Sequence, residues 1–95
     1  MTPRLFLIVF DPQTSNANQL HSVVIALPSM QAWWHYLASA YIIASVMNAR
    51  QLQDEIHSRW DGLFLVAEIN TRNSGGWLPA EAWEWINERR SGFLP

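Results

Sequence analysis

Residues 5–12, which read LFLIVFDP, decide the fold of this chain. The first six are apolar and follow one another without polar alternation, a pattern typical of a strand that is covered on both faces. Asp11 and Pro12 end the run because an Asp-Pro pair favours a turn. The sequence therefore predicts a central, doubly covered β-strand at residues 5–10.

A polar loop follows this strand and leads into the first predicted helix. Four apolar residues recur at the spacing of one helical face: Leu20, Val23, Val24 and Leu27. Asn16 or Asn18 is the expected N-cap, and Pro28 the expected end. Two strands are then predicted at residues 33–36 and 40–46, joined by a short turn, because both segments are rich in aromatic and β-branched residues.

The second half of the chain repeats the alternation of helix and strand. Four residues share one face of a second predicted helix, which Asn48 caps and Asp61-Gly62 ends: Ala49, Leu52, Ile56 and Trp60. Residues 63–69 form another β-rich run, and a loop leads to a last helix that starts at Leu78-Pro79 and reaches about Arg90. The order predicts one domain over residues 1–95, an α+β, ferredoxin-like βαββαβ sandwich with an additional C-terminal helix.

Composition limits the classes of function. The 95 residues are 49% hydrophobic and 15% charged. The core of so small a domain can bury only part of this apolar surface, so the composition favours a homodimer that buries more of it. There is no cysteine, which excludes disulfides and zinc–thiolate sites. The net charge is −2 and all six basic residues are Arg, so the charge disfavours nucleic acid as a partner. Since no membrane-spanning run and no signal-peptide pattern is present, we expect a cytoplasmic protein without membrane contact.

Five of the six tryptophans lie in two short words, WWHYL at residues 33–37 and WLPAEAWEW at residues 77–85. Tryptophan supplies a large apolar area and one N–H donor, so such clusters mark a core, an interface or a stacking platform. Base stacking normally requires basic residues on the same face, and only Arg72 lies near a predicted strand end. We therefore predict core and interface packing with a protein partner. The residues predicted at the interface are Trp34, Tyr36, Trp77, Trp83 and Trp85.

Together with the strand that ends in Asp11, these words resemble the CRISPR-associated protein 2-like superfamily. The nearest group is the one called "SinR family protein", and the VapD-type ribonuclease toxins are more distant. The resemblance covers nearly the whole chain through residues 9–11, 34–39 and 76–85. It implies a homodimer formed through sheet edges. In some relatives it also implies an aspartate after the first strand that faces its symmetry mate and holds a divalent metal.

Asp11 is the one position to which the resemblance carries a catalytic and metal-binding role. Two Asp11 carboxylates across a dimer would hold Mg²⁺ or Mn²⁺, and the metal would activate a water for attack on a phosphodiester. The simpler interpretation is that Asp-Pro only starts a turn. Residues 12–18 contain no Arg or Lys, and the following helix lacks the basic residues typical of the DNA-gripping relatives.

Outside Asp11 the sequence offers no catalytic constellation. His35 lies among aromatic residues without an evident titratable partner, so we predict a packed, hydrogen-bonded histidine rather than a general base. His21 and His57 lie on ordinary helices, and no metal-ligand spacing occurs. Two functions remain open: a non-enzymatic homodimeric module in a phage, toxin or defence system, and a divalent-metal-dependent nuclease. The charge favours the first, and the resemblance favours the second.

Overall fold

The computed structural model describes residues 3–13 and 17–93, and the side chains of residues 17 and 90–93 lie outside that description. Strands and helices follow one another in the predicted order, so the α+β class is confirmed. The elements are β1 (Arg4–Phe10), α1 (Ala17–Ile25), β2 (Met30–Leu37), β3 (Ala40–Ser45), α2 (Ala49–His57), β4 (Phe64–Glu68), a 3-10 turn (Thr71–Asn73) and α3 (Ala80–Phe93).

The four strands form one antiparallel sheet in the order β2-β3-β1-β4. β1 lies inside this sheet, where Leu7 faces Ile42 of β3 on one side and Ala67 of β4 on the other. The prediction of a central strand at residues 5–10 is therefore confirmed. β2 and β4 are the two edge strands, and an edge strand presents backbone groups that can pair with another chain.

Helices α1 and α2 cover one face of the sheet. Side chains alternate along a strand, and those of Phe6 and Ile8 point toward this face, where Leu20 of α1 and Leu52 of α2 pack against them. The predicted apolar face of α1 is confirmed for Leu20, Val23 and Val24, with Val23 only partly buried. The helix ends at Ile25 rather than at Pro28, so Leu27 enters the core from the segment after the helix. The buried residues of this face are Phe6, Ile8, Phe10, Leu20, Val24, Leu27, Tyr41, Ile43, Leu52, Ile56 and Trp60.

Helix α3 covers part of the opposite face. Leu5 and Ile42 point to this side, where they share a second core with Ala82 and Ile86 of α3. The sheet thus lies between two helical layers. This arrangement explains the unbroken apolar run in β1, because successive side chains enter different cores.

The predicted caps differ between the first two helices. α1 begins at Ala17, so Asn18 lies inside its first turn rather than at the N-cap, and Asn16 falls outside the described residues. Asn48 is confirmed as the N-cap of α2: its Oδ1 accepts the N–H of Gln51 at 2.8 Å, while Oε1 of Gln51 accepts the N–H of Asn48 at 3.0 Å. This reciprocal capping box satisfies two N–H groups that have no partner within the helix.

Some element bounds differ from those predicted. α2 ends at His57, so Trp60 enters the core from the segment after the helix rather than from its face. β2 starts at Met30, before the predicted residue 33, and its pairing with β3 is irregular between Trp34 and Leu37. Such boundaries depend on pairing with other strands, which local periodicity does not report.

Candidate functional site

An open groove of about 490 Å³ runs between α2 and β4. Arg50 and Gln53 of α2 line one wall, and the segment from Asp61 to Val66 lines the other. The groove exists because β4 is an edge strand. Helix α2 covers one face of β4, and no further strand of the described residues pairs with its outer edge.

The outer edge of β4 presents backbone hydrogen-bonding groups in a defined pattern. The N–H of Ile69 donates to the carbonyl of Leu5 at 2.9 Å, which shows that odd-numbered residues here turn toward β1. In an antiparallel pair, residues that bond one neighbour alternate with residues that face away from it. The residues whose N–H and C=O groups turn outward are Phe64, Val66 and Glu68.

Large apolar side chains beside this edge are exposed. Leu63 keeps 79% of its surface accessible, and Leu65 keeps 65%. Proteins usually protect an edge strand with charges or proline. The one charged residue of β4 is Glu68, at its end, where Oε1 accepts a hydrogen bond from Arg4 Nη1 of β1 at 3.1 Å. The centre of the edge therefore carries no charge, and this apolar edge is a candidate association surface.

Asp11 lies at the surface directly after β1. Its Oδ1 accepts the N–H of Gln13 at 2.9 Å, so the carboxylate holds the turn that follows the strand. The Asp-Pro pair thus starts a turn, as the sequence predicts. Among the described residues, no group of three or more His, Asp or Glu side chains is close enough to hold a metal ion.

In the first tryptophan-rich segment, residues 33–37, some side chains lie in the core and others at the surface. Trp34 is 2% exposed, and its Nε1 donates to the carbonyl of Ala82 at 3.3 Å, which ties β2 to α3. This burial leaves Trp34 little surface to lose on association. Tyr36 is exposed, and its ring lies edge-on to Trp34 with centroids 5.2 Å apart.

The second tryptophan-rich segment, residues 77–85, likewise has both exposed and partly buried tryptophans. Trp77 is fully exposed in the loop before α3, whereas Trp83 and Trp85 are half-buried against the second core. The guanidinium of Arg89 lies 4.0 Å from the ring centre of Trp85, a cation–π contact within α3. The structure therefore brings Trp34, Trp83 and Trp85 together around one core and leaves Trp77 apart from it.

Comparison of the chain with protein-family models, with curated proteins and with solved structures finds no match in any of the three. Function must therefore be argued from the geometry of the chain itself. In the part of the chain that the structure describes, no helix is both long enough and apolar enough to cross a membrane.

Sequence reasoning missed a second group of residues. The prediction that His35 is packed and hydrogen-bonded is confirmed, because its Nδ1 lies 2.9 Å from the carbonyl oxygen of Ala40 and its ring stacks on Tyr41. The residue as a whole is nevertheless exposed rather than part of the core. His21 lies beside it, with ring centroids 6.2 Å apart, and both rings contact Tyr41. These residues belong to α1, β2 and β3, so no spacing along the chain could have indicated their meeting.

Proposed function

We propose that this protein is a homodimeric module that acts by protein–protein association, and that two copies join through the outer edges of their β4 strands. The observation that carries the proposal is the outer edge of β4, which pairs with no strand of the described residues and has no charge at its centre. The exposed side chains of Leu63 and Leu65 lie beside it, next to an open groove. Such an edge pairs readily with another strand, because main-chain hydrogen bonds supply affinity and apolar side chains add buried area.

A second copy of β4 is a suitable occupant because the strand is complementary to itself. Antiparallel pairing about Val66 places each Val66 opposite its own copy and each Phe64 opposite the partner's Glu68. All three are the residues whose backbone groups turn outward, so every outward N–H meets a carbonyl. Leu65 then lies beside the partner's Ala67 and loses its exposed apolar area to the interface.

The ferredoxin-like arrangement belongs to the same proposal. It is supported by the position of β3 between β1 and β2, and of β1 between β3 and β4, with α1 and α2 packed on one face. α3 is then the addition that covers the opposite face. Membership of the CRISPR-associated protein 2-like superfamily, and with it a phage, toxin or defence context, rests on the sequence motifs alone.

The alternative function, a nuclease with a metal ion between two Asp11 carboxylates, requires a different dimer. Asp11 follows Phe10, which lies opposite Phe64 near the end of β4. With the strand spacings of a regular sheet, the β4-paired dimer separates the two Asp11 Cα atoms by roughly 25 Å. Two carboxylates that share one metal must both approach it within about 2.5 Å. The two proposals therefore exclude each other as arrangements of one dimer.

Oligomeric state tests the proposal. We expect the wild type to be a dimer by sedimentation velocity and light scattering at micromolar concentration. Leu65→Lys places a charge in the interface, and Val66→Pro removes the central outward N–H; both variants should be monomeric, since proline is tolerated where an edge N–H faces outward. Circular dichroism establishes that each variant remains folded.

Leu37→Lys is the matched control, because Leu37 is a comparably exposed leucine at the end of the other edge strand, β2. It should leave the dimer intact. A monomeric wild type, or dissociation by Leu37→Lys with a persisting Leu65→Lys dimer, would reject β4 pairing.

A further inference from the structure

A pocket of about 200 Å³ opens into the second core, on the face of the sheet that α3 partly covers. Leu5 and Leu7 of β1 and Ile42 of β3 form its floor, and Trp83 and Ile86 of α3 form one wall. Because α1 and α2 pack on the other face of the sheet, this pocket is separate from the groove between α2 and β4.

The pocket lies between two segments that are tied to different strands. Helix α3 is held at β2, where Nε1 of Trp34 donates to the carbonyl of Ala82 at 3.3 Å. The segment after β4 is held at β1, where the N–H of Ile69 donates to the carbonyl of Leu5 at 2.9 Å. The space above Leu7, which is only half-buried, stays open between the two segments.

Burial separates the floor of the pocket from its mouth. Leu5, Ile42 and Ile86 are buried, so the pocket reaches into the core rather than lying flat on the surface. Ser74 and Gly75 are exposed and form the mouth. Protein cores are close-packed and have few voids larger than a water molecule, so a recess of this size is unusual in a domain of 95 residues.

The lining of the pocket carries no charge. Among the described residues that line it, none is titratable, and the polar side-chain groups are the indole N–H of Trp83 and the hydroxyl of Ser74. That hydroxyl already donates to the carbonyl of Thr71 at 3.3 Å. An ionised ligand would lose its hydration without gaining a partner, and an ordered water needs several polar partners. The lining therefore favours an uncharged, apolar occupant.

The volume of the pocket limits the size of this occupant. An apolar cavity of about 150 Å³ in another protein holds benzene. The pocket of about 200 Å³ therefore has room for roughly eight carbon atoms. This size corresponds to a small molecule rather than to a segment of peptide or nucleic acid.

We propose that this pocket binds a small, uncharged and largely apolar molecule, which packs between the sheet and α3. Such a ligand contacts β1 on one side and Trp83 of α3 on the other, so its binding stabilises the folded chain. The binding site lies on the face of the sheet that α3 covers, and the proposal does not depend on the association through β4.

Two probes with the same carbon skeleton test the proposal: 2-phenylethanol, which is uncharged, and phenylacetate, which is charged at neutral pH. In ¹⁵N–¹H NMR titrations, 2-phenylethanol should shift the indole N–H signal of Trp83 saturably, with a Kd of about 0.1–1 mM. Phenylacetate should bind at least about tenfold more weakly. The signal of Trp60, which lies in the core on the opposite face, should not move. Trp83→Phe assigns the Trp83 signal.

Leu7→Trp fills the pocket from its floor and should weaken the binding of 2-phenylethanol by at least about tenfold. Val9→Trp is the matched control, because Val9 is another half-buried residue on the same face of β1 but does not line the pocket. It should keep the affinity of the wild type. Circular dichroism establishes that both variants remain folded.

Gly75→Leu blocks the pocket from its mouth and does not alter the core. A Cβ built on Gly75 meets no atom within 4 Å, so the larger side chain is accommodated without displacing its neighbours. This variant should also weaken binding. In thermal unfolding, 2-phenylethanol should raise the Tm of the wild type and of Val9→Trp, but not that of Gly75→Leu.

Three results would overturn the proposal: no saturable shift of the Trp83 signal with 2-phenylethanol, equal affinity for phenylacetate, or unchanged binding in folded Leu7→Trp and Gly75→Leu. Each of these results would show that the pocket does not select an uncharged apolar ligand. Sedimentation of the same preparations reports on the β4 dimer, so the two proposals fail or stand separately.

Discussion

The indole ring of Trp60 occupies the space in which a side chain on residue 62 would lie. A Cβ built on Gly62 would overlap the far edge of that ring, whereas one built on Gly75 meets no atom within 4 Å. Trp60 is buried in the core between the sheet and the first two helices, so its ring has little freedom to move. The glycine is therefore required by packing.

Gly62→Ala should lower the free energy of unfolding by about 1–3 kcal/mol, because the added methyl forces Trp60 out of a packed core. Gly75→Ala adds the same methyl in open space and should change stability by less than about 0.5 kcal/mol. Urea unfolding followed by tryptophan fluorescence measures both. Equal stability of the two variants would contradict the placement of Trp60.

Trp34→Ala should cost about 3–5 kcal/mol, because the indole fills the core between the sheet and α3 and donates to the carbonyl of Ala82. Trp77→Ala removes an equally large but fully exposed side chain and should cost less than about 0.5 kcal/mol in the monomer. Urea titrations in the Leu65→Lys background compare them without a contribution from association. A large loss for Trp77→Ala there would contradict its exposure.

The free energy of unfolding should fall as the pH rises above about 10. Burial raises the pKa of Tyr41 in the folded chain above the value of 10.0 that it regains on unfolding, so the folded state binds the proton more tightly. That contribution is fully present below pH 10 and is lost as the pH rises through the folded-state pKa. Urea titrations between pH 8 and pH 11 measure the loss.

Tyr41→Phe is the comparison, since phenylalanine keeps the ring but has no proton to lose. Its free energy of unfolding should fall less between pH 9 and pH 11 than that of the wild type, while other groups titrate alike in both proteins. Parallel curves for the two proteins would show that Tyr41 does not contribute to alkaline unfolding.

Asn48→Ala should lower the free energy of unfolding by about 1 kcal/mol, because it leaves the N–H of Gln51 without its acceptor at the start of α2. Gln19→Ala, an exposed polar-to-alanine change on α1, should be close to neutral. Thermal unfolding by circular dichroism compares the two. A neutral Asn48→Ala would contradict the capping box.

The local pattern of the sequence determined the strands and helices and much of their burial. The unbroken apolar run of residues 5–10 indicated a strand covered on both sides. The spacing of Leu20, Val23 and Val24 indicated the buried face of α1. Asn48 indicated the start of α2. These features were predictable because a helix and a strand each repeat after a few residues. The spacing of apolar residues along the chain therefore indicates which of the two forms and which side of it is buried.

Tertiary structure alone decided what lies against each buried face and what stays open. The strand order leaves β4 at an edge, α3 covers the face opposite α1 and α2, and the hairpin brings His35 beside His21. The sequence of a segment shows that one of its faces is apolar. It does not show which distant segment packs against that face. Contacts between distant segments arise from packing the whole chain, and both the β4 edge and the histidine pair depend on such contacts.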